Sequence, residues 1–452
     1  MKNIVRIAVF LLILLMIVPC LAACNKTDKG TTTKPDGPVT PDEDPYLEQV
    51  GDLERYNYKA FVRGNMSGNT SYACEDFWVD PATGGGDALS YAVIERNSEI
   101  ESTYINLDHE AFDQNSIAEL TLGDSLYYLS GDMNISTLDN TIATVFNTKE
   151  YAAMADSLID KFEDSDFDSP YTLVEEGKWT VENMLKIAKE FTLDANTNDG
   201  PLSYDKGDKM GYFEYAASPL YYYYGAGMRV TENVGGFPEF VIDSDEAQEV
   251  YNYLYSALNT NLNNHPNGLS GDRAKNFLSG DVLFADFLLW DTRKHLYPAK
   301  IDWAYGILPI PTYEENEDYH CVVYFQTCAH LWALPYKRAD NVKAAKLFYV
   351  MTVYSGEEDS TLDAYYVRTM YMEVAKDDGS RASLEIIRNS LVYDIALLYC
   401  PQNLWGKFDD LLVNMDTATQ PEYSTYTTAS RMDDAQADME ETIDAFIKYG
   451  AD

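Results

Sequence analysis

The chain opens on an uncharged apolar run, Ile7 to Leu21, behind the basic pair Lys2 and Arg6. A run of this length after a positive start reads as a secretory signal rather than a spanning helix. The next stretch, Asn25 to Glu48, is almost free of apolar residues. It carries Thr31-Thr32-Thr33 and Pro35, Pro38, Pro41 and Pro45. Such a segment buries too little surface to fold, and its prolines make it a partly extended spacer. Apolar periodicity begins near Tyr56, so the folded part is expected from about residue 49.

Arg55 to Arg63 alternates, with Tyr56, Tyr58, Ala60 and Val62 on one face, and predicts a strand. Thr83-Gly84-Gly85-Gly86-Asp87 then opens a helix striped by Leu89, Ala92, Val93 and Ile100. Without the Lys and Ser/Thr of a phosphate loop, this glycine run reads as a helix start. Thr180 is a good N-cap, Trp179 can staple to Met184, and Val181, Met184, Leu185, Ala188 and Phe191 form a buried stripe. Further helices are expected after Asp243-Ser244-Asp245-Glu246 (Val250, Leu254 and Leu258 inward), over Asn341 to Tyr354, and over Met432 to Ile447. Trp303 to Ile310 and Cys321 to Leu334 read as strands, punctuated by Pro309, Pro311 and Pro335. Strands alternating with helices, without internal repeat, predict α/β layers around a partly parallel sheet.

Length suggests two lobes, since roughly 400 residues exceed one core. The net charge of −41 speaks against nucleic acid or anionic lipid as a partner, since each would be repelled. Tyrosine is heavily used, 36 residues with the run Tyr221 to Tyr224; such rings suit sugar faces or semi-buried packing equally.

Leu21-Ala22-Ala23-Cys24 looks like a bacterial lipobox, in which the chain is cut before Cys24 and the thiol is lipidated. The expected mature protein is anchored at Cys24, on the extracytoplasmic face of the cell membrane, with residues 1–23 removed and 24–48 as tether. Cys20 leaves with the leader, and Cys74, Cys321, Cys328 and Cys400 remain. Cys321 and Cys328, flanked by His320 and His330, admit a disulfide, buried free thiols, or a zinc site of unfamiliar spacing. Asp194 to Gly200 resembles a calcium loop, but its glycine falls at the seventh position and no Glu sits at the twelfth; a solvated Asx-rich turn accounts for it without an ion. No cofactor or metal is assigned.

Four segments, in order, resemble the family 1 extracellular solute-binding proteins, the receptors of carbohydrate-uptake ABC transporters. They are Gly177-Lys178-Trp179-Thr180 with its helix and the acidic turn to Gly200; Phe277-Leu278-Ser279-Gly280 leading to Trp290; Tyr305-Gly306-Ile307-Leu308-Pro309-Ile310-Pro311; and Leu404-Trp405. The resemblance runs from about Leu126 to the C-terminus. It implies a two-lobed periplasmic-binding-protein-like α/β fold with crossing segments, lobe one from 49–148 and 302–352, lobe two from 149–301 and 353–452. It also implies capture of a carbohydrate, delivery to membrane permease subunits, and no catalysis. Two departures stand out. The strand-helix-strand portion that the family carries before Ile105-Asn106-Leu107-Asp108 is missing, so lobe one looks shortened, and Leu288-Leu289 stands where many sugar binders have Gly-Pro.

A sugar offers flat C–H faces and a rim of hydroxyls, so its site needs aromatic plates and fixed polar groups. The resemblance makes Trp290 and Trp405 the plates. Asp132, after Leu129-Ser130-Gly131, and Asp286, four residues before Trp290, are candidate hydroxyl acceptors, with Tyr128 as a further candidate. The rival classes are a secreted glycoside hydrolase, which needs two carboxylates across a cleft, and a surface lipoprotein without ligand. With 74 acidic residues, a carboxylate pair by itself does not argue for the enzyme. The chain has no Gly-x-Ser-x-Gly elbow, zincin pair or P-loop.

Overall fold

The computed structural model describes residues 107–122, 125–126, 128–195, 207–213, 218–234, 237–242, 244–258, 270–299, 301–323, 329–333, 341–398 and 437. All lie in one compact unit, Asp52–Asp452. The expectations for Cys24, the tether, the strand at 55–63, the helix after Gly86, the missing portion before Ile105, Cys74, Cys328, Cys400 and Trp405 fall outside these residues. So does the helix from Met432 to Ile447, apart from Ala437, which is helical.

Helix α1 (Gln114–Leu120) starts at Asp113, whose carboxylate accepts from the backbone N–H of Asn115 and Ser116. A short helix, Ile135–Asp139, leads into strand β1 (Ile142–Asn147). Asn147 caps helix α2 (Thr148–Phe162) through its side chain. Helix α3 (Val181–Phe191) is the one expected from the sequence, with Thr180 Oγ1 accepting from Asn183 N–H and Val181, Met184, Ile187, Ala188 and Phe191 buried. Strand β2 (Met210–Phe213) and helix α4 (Ser218–Gly225) follow. After an antiparallel pair, Thr231–Val234 with Phe237–Phe240, come helices α5 (Asp245–Leu258) and α6 (Ser270–Leu278) and strand β3 (Val282–Leu288). Strand β4 (Tyr305–Leu308), helix α7 (Asn341–Gly356), a helical stretch in the wider π winding (Asp363–Val374) and helix α8 (Asp378–Asn389) complete the frame. Among the described residues, no helix is long and apolar enough to cross a membrane.

Strands β2-β3-β1-β4 form one mixed sheet in that order: β2 and β3 run parallel, and β1 is antiparallel to both β3 and β4. Every residue of these strands is buried, which is why their sequences read as continuous apolar runs rather than alternations. The pleat nevertheless sends successive side chains to opposite faces. Ile142 and Phe146 join a core with Met184, Ile187, Phe284 and the α4 tyrosines. Ala143 and Val145 join a second core with Phe287, Ile307, Tyr365, Leu384 and Ile387. The fold is therefore α/β, a mixed sheet between two helical layers. A third core, built from Ala111, Phe112, Leu129, Met133, Trp332, Phe348, Tyr349, Met351 and Val353, lies apart from both. Strands β1 and β4, placed by the sequence in lobe one, share their sheet with β2 and β3, placed in lobe two.

Trp179 is wholly buried, shares its core with Met184, and donates its indole N–H to the Pro309 carbonyl at 2.9 Å. Tyr221 to Tyr224 are all buried on α4, so this tyrosine run serves packing rather than an exposed aromatic face. The expected strand from Cys321 to Leu334 is ladder-like only at Cys321–Val322, which pairs in parallel with Leu391–Val392. Single bridges Thr141↔Val323 and Leu129↔Trp332 follow, so this segment changes partner as it runs. Cys321 is a buried free thiol, pushed up to about 11 by burial.

Candidate ligand-binding site

Residues from both ends of the described chain enclose a polar cavity of about 260 Å³. One side is the start of α1 and the segment Ser130 to Leu138; the other is the end of α8 with Leu391 and Tyr393. Its lining includes an ion pair between residues 256 apart in sequence: Arg388 Nη2 donates to Asp132 Oδ1 at 3.0 Å. Arg388 sits in the last turn of α8, where the helix dipole favours a cation. Its guanidinium also lies over the Tyr366 ring, 5.2 Å from the centroid.

Two glycines make room for Asp132. A Cβ on Gly131 would stand 2.5 Å from the Ala111 carbonyl oxygen, so only glycine lets this strand of chain lie against Ala111 and Phe112. A Cβ on Gly356, the last residue of α7, would stand 2.3 Å from Asp132 Oδ2. The carboxylate therefore occupies space that any other residue at 356 would fill.

Beside this pair, Asp113 is fully engaged. Its Oδ1 caps α1, and its Oδ2 accepts from the Tyr393 hydroxyl at 2.6 Å. Asn134 Oδ1 accepts from Gly131 N–H, and Asn115 Nδ2 donates to the Leu391 carbonyl at 3.2 Å. Burial pushes Asp132 up to about 6; Arg388 pulls against this, while Asp113 and Glu110 add to it. Asp113 is raised for the same first cause, against the Tyr393 hydroxyl and the helix N–H groups that lower it.

Of the residues singled out from the sequence, Asp132 lines this cavity, and Trp290, Asp286 and Tyr128 do not. Tyr128 is exposed. Asp286 lies in the middle of β3, 1% exposed. It accepts from Thr144 Oγ1 at 3.1 Å, Tyr222 Oη at 3.2 Å, and Tyr212 Oη. A carboxylate this far inside the sheet serves the core's polar network. Trp290, on the short helix Leu289–Asp291, is 7% exposed and belongs to the first core, its ring edge-on to His295 at 5.1 Å. Trp405 lies outside the described residues. Arg388, Asp113 and Tyr393 were not found from the sequence. Arg388 ends an amphipathic helix where a basic residue reads as a solvated charge, and only its distant partner reveals the site.

The acidic turn near Asp194 is closed at its base by bonds between Leu193 and Lys209 in both directions, 3.0 and 2.8 Å. Buried Asp208 accepts from Ala195 N–H at 2.8 Å. Among the described residues, no group of three or more His, Cys, Asp or Glu is arranged to hold a metal ion.

No family model and no curated protein matches the sequence. Among solved structures, the chain is similar to a cyclo/maltodextrin-binding protein complexed with maltotetraose, at 14% identity and TM-score 0.46 over 75% of each chain. It is similar to an ABC substrate-binding protein from Listeria monocytogenes in complex with cycloalternan, at 14% identity and TM-score 0.43 over 79% of this chain and 80% of that one. It is also similar to a maltose/maltodextrin-binding domain from Bdellovibrio bacteriovorus bound to maltotriose, at 13% identity and TM-score 0.43, covering 74% and 77%.

Proposed function

We propose that this chain is an extracytoplasmic solute-binding lipoprotein that captures a carbohydrate and delivers it to an ABC-transporter permease without chemical turnover. The observation that carries this reading is the polar cavity around Asp132, a residue the sequence had already marked for hydroxyl recognition. At about 260 Å³ the cavity falls just under the roughly 300–1,000 Å³ typical of ligand pockets, which limits it to one sugar ring or the end of a chain. Its carboxylate, guanidinium and amide groups supply the fixed acceptors and donors that a hydroxyl rim requires. Leu21-Ala22-Ala23-Cys24 and the tether behind it supply the anchor.

A glycosidase would use two carboxylates of this cavity as acid and as base or nucleophile. Asp113 is unsuited, since both its oxygens are bound within the fold, so the pair left in this lining is Glu110 with Asp132, and Asp132 is held by Arg388. The receptor reading is therefore preferred. It is tested by thermal shift of the full-length protein in detergent across a sugar panel, followed by product analysis. A raised melting temperature without product supports it, because a ligand of the native state stabilises that state; released product, or no shift with any sugar, overturns it.

A further inference from the structure

Resting on the reading that the Asp132 cavity takes a carbohydrate, we propose that its ligand is a neutral or amino sugar, and that the Asp132–Arg388 pair excludes sugars bearing a carboxylate or phosphate. The cavity lining sets three carboxylates, Glu110, Asp113 and Asp132, against one cation, Arg388. That cation is already engaged, by Asp132 at 3.0 Å and by the Tyr366 ring beneath it. Only Nη2 of Arg388 is bonded to Asp132, so an anionic ligand that reaches the remaining N–H groups stands beside Asp132, with Asp113 and Glu110 on the same lining, and meets like charge. The Asp132 side chain is 15% exposed, and Gly356 closes over one of its oxygens. With so little water at Asp132, that repulsion is weakly screened.

A neutral polyol meets no such repulsion. One hydroxyl can donate to the Asp132 carboxylate while a neighbouring one accepts from the guanidinium, so the pair stays intact and acts as a two-point reader of adjacent hydroxyls. An ammonium group fits equally well, since Glu110 at the exposed edge and the net charge of −41 both favour it. Asp113 does not change this balance, because capping and the Tyr393 hydroxyl fix it in place without cancelling its charge.

Gly356 offers a variant that moves the carboxylate and keeps its chemistry. In Gly356→Ala the new Cβ would collide with the far end of a flexible side chain, so Asp132 must rotate away while the helix remains intact.

The test is titration calorimetry of the full-length protein in detergent against glucose, galactose and mannose, each beside its amino and uronic form. The expected result is binding of a neutral or amino member, with its uronic form about tenfold weaker or more. Asp132→Asn should weaken the neutral sugar by about tenfold and narrow the gap to the uronate, and Gly356→Ala should act in the same direction. A uronate binding as tightly as its neutral parent would overturn the proposal and leave the receptor reading standing. Unchanged affinities in both variants would do the same, by placing the ligand elsewhere. If no member of the panel binds, the carbohydrate reading itself falls and this inference with it.

Discussion

Asp286 and Thr144 stand directly opposite each other on neighbouring antiparallel strands, and the threonine hydroxyl donates to the carboxylate at 3.1 Å. With Tyr212 and Tyr222 also donating to it, Asp286 is a polar knot inside the sheet. Removing it strands several buried hydroxyls. Asp286→Ala should therefore cost at least about 2 kcal/mol of stability, read as a lower urea midpoint at unchanged slope. Affinity for a sugar, measured well below that midpoint, should stay the same. A variant as stable as wild type but unable to bind would move Asp286 from the core network to the site.

Trp290→Ala should behave as a core deletion. The ring is 7% exposed within the first core, and truncating a buried Trp costs about 3–5 kcal/mol. The resemblance made this ring a ligand plate, whereas its burial makes it a core side chain. Trp405→Ala remains the test of an aromatic plate: a ten- to hundredfold loss of sugar affinity, about 1–3 kcal/mol, at unchanged stability. Circular-dichroism melts of both variants beside their titrations separate the two behaviours.

Stability should depend on pH through Asp132. Its ordinary value is 3.8, and in the fold burial pushes it up to about 6 despite Arg388. Between those values the folded state keeps a proton that the unfolded chain has released. The stabilising contribution is thus complete below pH 3.8 and lost as pH rises through 6. Asp132→Asn cannot titrate. Wild type should accordingly lose stability relative to this variant as pH climbs from about 4 to about 6.5. Parallel urea curves for the two proteins across that window check it. A difference that stays flat would mean that Asp132 is not buried as described.

Lipidation at Cys24 predicts that the mature N-terminus is a modified cysteine and that Cys24→Ala releases the protein from membranes or stalls its processing. Mass spectrometry of the N-terminal peptide decides this. An unmodified terminus at another residue would refute the anchor.

What the sequence disclosed depended on how local the signal was. Helix α3 was legible from its Thr180 cap and apolar stripe, and β4 from a short run closed by Pro309, because both signals lie within a dozen or so residues. Strand β3 was harder to read: with both faces buried it has no alternation, and Asp286 within it read as a hydroxyl acceptor at a cleft, not as a core residue. At the candidate site only half of the ion pair was visible. Asp132 follows a glycine at a turn-like Ser130-Gly131, a local cue, whereas Arg388 acquires its meaning from a partner 256 residues away. The same limit applies to Tyr221 to Tyr224, which suited sugar faces and packing equally and whose burial follows from the layer that packs over them.

The position of β1 at the centre of its sheet has a temporal consequence. Its two neighbours are residues 282–288 and 305–308, so the central strand emerges from the ribosome long before anything exists for it to pair with. Pairings this distant in sequence fold slowly, because the loop must close before any contact rewards it. For a chain proposed to cross a membrane before it works, that delay is useful. The sheet cannot be complete until residues 305–308 have followed β1, so its closure falls late in the emergence of the chain.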